Sequence, residues 1–481
     1  MDIHPKNLRT RPLFCFIQMS VTGAAIFASA SASVFAADFT VTSTLDANIG
    51  ICTPQQCSLR DAFIAANATP GPSTINLPAG SYGITILGAG EDDGYMGDFD
   101  IKGDLTLIGA GPDLTRLTTV FPGEQIVDVA AGGRLHVEGI DVSTLIRAGQ
   151  TGDGNPQQTR LELSNSYVGN SDTPGHTIDA QGQLKIKDSV IRGASVSDWQ
   201  RAILFHGSAL DIARSVIYWK AIGIDASMTA RSNVNFSGVN LVHGVAPVQG
   251  PNTNSASSTE LCSALNVRGG DRITFDRSQV NGGAAITATS CLNAQSIAVV
   301  DSAFVRTASG YKALSVTSFA TDIRNSTVVG SIVNNGTLAL SAVSIGGISD
   351  YAGQGSYSIE NLAGSVSVAN SVMIGPCSGG NLFAFGNNVE APGNSCGLPT
   401  ASSRVNQTVA SLELGELDYH GGRTLNYVAG SGASPLVSVF TNAGIKACLI
   451  TDQRGFAREP ECTIGATEFN SNQIFANGFE F

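Results

Sequence analysis

The chain has 481 residues, 55 of them glycine, with 7% aromatic and 14% charged residues and a formal net charge of −12. That composition disfavours one compact aromatic core and suits many short strands joined by turns. The acidity excludes an electrostatic footprint for nucleic acid or for an anionic membrane surface.

Residues 1–36 have the layout of an export signal: Lys6, Arg9 and Arg11, an apolar run over 13–35, and Val34 and Ala36 at the positions a signal peptidase reads. A retained membrane anchor competes, since the run approaches spanning length, but its Ser- and Ala-rich end favours cleavage. Losing the segment, with its three basic residues and one acid, leaves a net charge of −14. No later apolar run is long enough to span a bilayer. Cys15 leaves with the signal, and eight cysteines remain as sequence neighbours: Cys52 with Cys57, Cys262 with Cys291, Cys377 with Cys396, Cys448 with Cys462. An even number in an exported chain points to disulfides, although eight cysteines allow about 105 connectivities. Zinc is the rival, and neither a CxxC pair nor a His-rich partner supports it.

Residues 37–104 read as an N-terminal cap. An alternating strand at 39–47 precedes Ser58 and Asp61, a capping-box-like pair in which hydroxyl and carboxylate satisfy the amides of a helix start. Leu59, Ala62, Phe63 and Ala66 then share one helical face, and Pro70-Gly71-Pro72 ends the helix. CSLRDAFIAAN at 57–67, INLPAGSYGIT at 75–85 and GDFDIKGDLTLIGAG at 97–111 resemble the CSLREA N-terminal region of bacterial surface proteins, with Asp61 in place of its Glu. The resemblance implies export and a right-handed parallel β-helix behind the cap. It implies no catalytic residue.

From 105 to 376 one frame, apolar-x-apolar-x-x-small-x-apolar, recurs eleven times, beginning at Leu105, Leu135, Leu161, Leu184, Leu210, Val234, Ile273, Ile297, Thr321, Leu338 and Val366. Most intervals lie in the twenties, which is a solenoid period. A leucine-rich repeat would need a Leu-dominated consensus and often a helical half; Val, Ile, Ser and Thr suit strands instead. The fold is therefore expected to be all-β, a parallel β-helix with a short capping helix. Asn165, Asp188, Asp301, Asn325 and Asn370 precede the small residue, where a tight left-handed bend is needed. The long interval before Ile273 places an inserted loop at about 247–271, and the 17-residue interval after Thr321 is a tight rung if the frame holds.

Residues 377–469 carry LDYHGGRTLNYVAGSGASPLVS and TDQRGFAREPECTIGATEF. Together with NSVMIGPCSGGN and GNNVEAPGNSCGL they resemble the choice-of-anchor Q domain of exported bacterial proteins, with Thr463 where an Asp is usual. The tail at 470–481 reads as a sorting element or as a plain unstructured terminus.

The outward rows of the repeat are where a solenoid would carry chemistry. Glu162, Lys185 and Asp211 alternate in sign like a cross-strand charge ladder. Neither outward row of the frame has adjacent carboxylates, as a paired-acid hydrolase needs. The strongest acidic stretch holds Glu91, Asp92, Asp93, Asp98, Asp100 and Asp104; the first five are candidate calcium ligands, although the spacing matches no EF-hand or nonapeptide repeat. A solvated acidic loop is the competing reading, and no other cofactor is implied. His176 (near Asp179) and His206 lack a recognisable nucleophile. Trp199, Tyr218 and Trp219 are either a sugar platform or packing beneath a loop. These features point to an exported or cell-surface protein of a Gram-negative bacterium, adhesin-like and non-catalytic, with a polysaccharide or cell-surface ligand. A polysaccharide lyase or glycoside hydrolase is the alternative, and a passive scaffold the third.

Overall fold

The computed structural model describes residues 36–469 apart from 89–91, 122–124, 170–174, 194–199, 220–221, 244–261, 263, 283–287, 307–311, 347–356 and 438–447. The export segment up to residue 35, the tail at 470–481, Glu91 and Trp199 lie outside the described residues. The described chain is a parallel β-helix, with ladders pairing each strand to the equivalent strand one rung away.

Each rung has three faces. The first includes Asp104–Gly109, Arg134–Glu138 and Arg160–Ser164. The second includes Thr115–Thr119, Asp141–Val142 and Tyr167–Val168. The third includes Phe99–Ile101, Gln125–Val129 and Leu145–Ala148. All eleven frame positions fall in one inward column of the first face, from Leu105 opposite Leu135 to Leu338 opposite Val366. Every one is buried, Thr321 included, so the short rung after Thr321 is real. Period-two alternation explains this: one face of each strand is apolar and stacks on its copy above and below.

The corner between the first and second faces is made by a left-handed residue followed by a serine. Asn165, Asp188, Asp301, Asn325 and Asn370 all have φ between 44° and 51°. The serine after each is a ladder of its own. Ser302 Oγ donates to Val300 O (2.7 Å) and accepts the Ser278 amide (3.1 Å), while Ser326 Oγ accepts the Ser302 amide (3.2 Å). Ser166, Ser189 and Ser215 repeat the pattern lower down. A buried corner would otherwise strand one amide per rung.

Three boundaries differ from the sequence reading. Rod strands already occupy Pro72–Leu77, Gly80–Ile84 and Phe99–Ile101, within the stretch read as cap. At the other end they continue to Ser403–Arg404. Leu265–Arg268 is a third-face strand, not part of the inserted loop, because Leu265 and Val267 point into the core beneath Ser290 and Leu292.

The helix Leu59–Ala68 covers the first rung with Leu59, Ala62, Phe63 and Ala66. Ser58 Oγ accepts the Asp61 amide (3.0 Å), as a cap should. The Asp61 carboxylate does not close the capping box; it accepts the Ile49 and Gly50 amides (both 2.9 Å) and so ties down the preceding loop. At the far end Glu390 occupies the inward column opposite Met373 and accepts the Ser395 and Cys396 amides, which turns the chain across the core. Four disulfides join the expected neighbours: Cys52–Cys57, Cys262–Cys291, Cys377–Cys396 and Cys448–Cys462.

Candidate functional site

The acidic stretch is anchored, not floating. Arg60 of the capping helix pairs with buried Asp46 and donates to the carbonyls of Gly94 and Gly97. Asp93 pairs with Lys102 at 2.6 Å, whose ammonium Asp93, Asp100 and Asp92 hold above its ordinary range. Asp98 and Asp100 meet a residue not singled out in the sequence, Asp128, with carboxylate oxygens of all three within 4.8 Å of one another. Donors already point at each: Gln125 at Asp98 (2.9 Å), the Gly94 amide at Asp100 (2.9 Å), and Arg147 at Asp128 (2.9 Å). Calcium takes six to eight oxygen ligands, and carboxylates supply them best when no cation already pairs with them. With Arg147 already paired to Asp128, the cluster offers the ion less than three free carboxylates would.

Asp100 and Asp128 belong to an outward column of the third face that continues through Arg147, Asp179, Leu204, Asp225 and Asn266. Adjacent carboxylates exist, then, on the third face and not on the first, where the repeat frame lies. They are engaged. Burial pushes the Asp128 carboxyl up, and its bond to Arg147 pulls it back. Asp225 accepts from Arg201 (2.7 Å), Arg268 (3.0 Å) and Asn266 (3.1 Å). His176 lies beside this column, and its Nδ1 accepts the Arg201 amide at 3.2 Å, which leaves the proton on Nε2. Burial pushes that imidazole down, against the pull of Asp179. His206 is exposed at the register of Gln181 and Ser227. On the first face, Lys185 lies between Glu162 and Asp211 as expected, but the ion pair Glu162 makes is with Arg160 of its own strand.

The second face has two halves. From Gln279 onward it is covered by the chain's own C-terminal segment, here called the strap. A hairpin bridged at Leu414–Ala429 and Asp418–Asn426 lays Leu414, Leu417, Leu425 and Tyr427 on Ala303, Val305 and Val329. Its tip reaches Gln279, which donates to Tyr419 Oη (3.3 Å) and accepts the Leu425 amide (2.8 Å). The DQRG…R…E residues then knit strap to rod. Asp452 accepts Arg454 and the amides of Phe456 and Glu468. Gln453 links Thr327 to Thr424. Arg458, buried, pairs with Glu468, donates to the carbonyls of Thr463, Gly465 and Ala466, and reaches Asn325 Oδ1 (3.1 Å). Burial pushes the Glu468 carboxyl up and the Arg458 guanidinium down.

The other half faces solvent. One outward column runs Arg116, Asp141, Tyr167, Val190, Val216 and Asn240; beside it stand Arg192, Tyr218 and Val242. Arg192 lies 4.9 Å from the Tyr167 ring centroid. Asp141 is the buried member, contacted by Arg116 (3.3 Å) and Arg192 (3.7 Å), whose own side chains are 56% and 40% exposed. Burial pushes its carboxyl up, and the two arginines oppose the shift. Tyr218 is exposed, whereas Trp219 is buried edge-on against His243 at 4.6 Å, so the pair is not one platform.

No protein-family model matches the chain, and no curated protein matches it. Among solved structures it is similar to an Azotobacter vinelandii mannuronan C-5 epimerase A-module at 17% identity, covering 68% of this chain and 93% of that one, with a TM-score of 0.28. It is similar also to a pectate lyase at 12% identity, covering 90% and 96%, TM-score 0.30. A GH87 alpha-1,3-glucanase catalytic domain is similar at 12% identity, covering 73% of this chain and 66% of that one, TM-score 0.28. Likeness this distant says nothing about which residues act or on what.

Proposed function

We propose that the protein is an exported rod that binds an extended polysaccharide along the open half of its second face without turning it over. The observation that supports this most is the open column from Arg116 to Asn240, in which three neighbouring rungs offer a guanidinium, a carboxylate and a phenol in register, followed by two valines and an amide. Rungs repeat about every 4.8 Å, close to the advance of one sugar unit, so successive units of a linear glycan meet successive rungs. Arg116 and Arg192 share one carboxylate and keep donors for oxygens of a ligand. The Tyr218 ring offers a surface for sugar C–H groups. Elsewhere the paired acids are occupied by arginines and amides, which argues against a free acid–base pair. Four disulfides fit an oxidising compartment, and among the described residues no helix is long and apolar enough to cross a membrane. The CSLREA-like and choice-of-anchor Q-like stretches fit an exported surface protein and remain resemblances.

A carbohydrate-active enzyme is the second reading. Asp141 favours it: a carboxyl that burial pushes up, beside two arginines and a tyrosine, is a candidate general acid. Incubating the mature chain with a polysaccharide panel separates the readings. Binding without new reducing ends or unsaturated products, weakened about tenfold by joint Arg192→Ala and Tyr218→Ala substitution, is the expected result. Turnover abolished by Asp141→Asn would make the enzyme the better account. Neither binding nor turnover would leave a passive scaffold.

A further inference from the structure

Asn and Asp serve the left-handed corner of the rod equally well, because either short side chain tolerates that backbone. Two of the five corners named above are acids, and their settings differ. Asp188, φ 49°, is half exposed and pairs with Arg214 through two bonds of 2.6 and 2.7 Å. Asp301, φ 51°, sits where the strap crosses the rod. Its carbonyl accepts Thr424 Oγ of the hairpin at 3.1 Å. Its Oδ1 is buried and has no hydrogen-bond partner among the described residues.

The charges around Asp301 are largely committed to one another. On the rod, Asp276 and Arg277 pair at 2.7 Å, and the Asn325 amide at the next corner donates to Thr451 O of the strap at 2.7 Å. On the strap, Arg454 pairs with Asp452 at 2.7 Å and Arg458 with Glu468 at 3.4 Å. An ionised Asp301 therefore meets like charge from Asp276 and Asp452, and attraction from Arg277 that Asp276 already shares.

We propose that Asp301 makes the strap a pH-weighted latch, seated more firmly on the rod when this carboxyl carries a proton than when it is ionised. Burial, with Asp276 and Asp452 adding to it against Asn325 and Arg277, raises the carboxyl from 3.8 to about 6. With the strap lifted, the group returns toward its ordinary value. The seated form thus holds the proton more strongly, so its advantage is complete below that ordinary value and is lost as pH rises through about 6. What the latch controls is access to Ala303, Val305 and Val329, the apolar part of the second face.

Hydrogen exchange of the Leu425, Gly465 and Ala466 amides, which bond to Gln279, Asn370 and Ser344 of the rod, reads the seating directly. After correction for intrinsic exchange, protection in the wild type and in Asp188→Asn should fall about tenfold between pH 5 and pH 7.5, and stay level in Asp301→Asn. An equal fall in Asp301→Asn, or a level wild type, would overturn the latch. Should Asp301→Asn fold poorly, the wild-type profile decides, since the latch requires its bend near pH 6.

Discussion

The two halves of the second face have the same backbone and opposite surroundings. Below Gln279 the outward columns mix Arg116, Tyr167, Arg192 and Tyr218 with Val190, Val216 and Val242, all exposed or half-buried around a buried Asp141; above it they carry Ala303, Val305, Thr327, Val329, Val372 and Ile374 and are buried. A contiguous apolar patch on an outward face marks a surface that something covers, whereas valines interleaved with polar residues do not. Here the partner is the strap, which buries Val305 and Val329 under Tyr427 and packs Leu412, Leu436 and Ile464 on Val372 and Ile374. A change of composition along an outward column thus reports where a solenoid surface is occupied by its own chain and where it is free.

The comparison breaks most readily at the strap's buried ion pair. Arg458→Ala leaves Glu468 uncompensated and should cost about 3–5 kcal/mol, seen as early unfolding of the strap in hydrogen exchange while the lower rungs keep their protection. Next, Val329→Lys places an unpaired charge beneath Tyr427 and should cost about 2–3 kcal/mol, whereas Val216→Lys on the open half should stay within about 0.5 kcal/mol; similar losses in denaturant unfolding would erase the distinction. Ser302→Ala removes one rung of the corner ladder and strands the Ser278 amide, at about 1–2 kcal/mol, measured as local deprotection at that amide. Ser58→Ala should cost about 1 kcal/mol through the lost helix cap, detectable as earlier thermal unfolding of the N-terminal end. The smallest effect belongs to the acidic stretch: added calcium, or a chelator, should leave the melting temperature unchanged, because amides and Arg147 already occupy the carboxylates of Asp98, Asp100 and Asp128.

Much of the rod was legible residue by residue. The Leu105 column and the left-handed corners follow from period-two alternation and from the tolerance of Asn and Asp for positive φ. The serines after those corners looked merely small in sequence; their hydroxyls form a ladder only once rungs stack. The alignment of the third-face acids was not legible because that face has no fixed offset from the frame: Asp100 and Asp179 stood out singly, but loops of differing length separate the rungs that bring them into one column with Asp128 and Asp225. Asp128 carries no local signal at all. The DQRG…R…E stretch was visible as a motif, yet its job was not, since its partners Asn325 and Thr327 lie more than a hundred residues away.

What the sequence determined by itself was the local repeat: which residues alternate inward and where the chain bends. Such features depend on neighbours along the chain, and a single rung suffices to express them. Only the tertiary structure decided what the outside of the rod is for. Whether IRNSTVVG at 323–330 is bare surface or a seat for Arg458, Thr451 and Gln453 depends on where a segment far along the chain returns. The repeat leaves that open, because an outward side chain has no rung of its own to specify its partner.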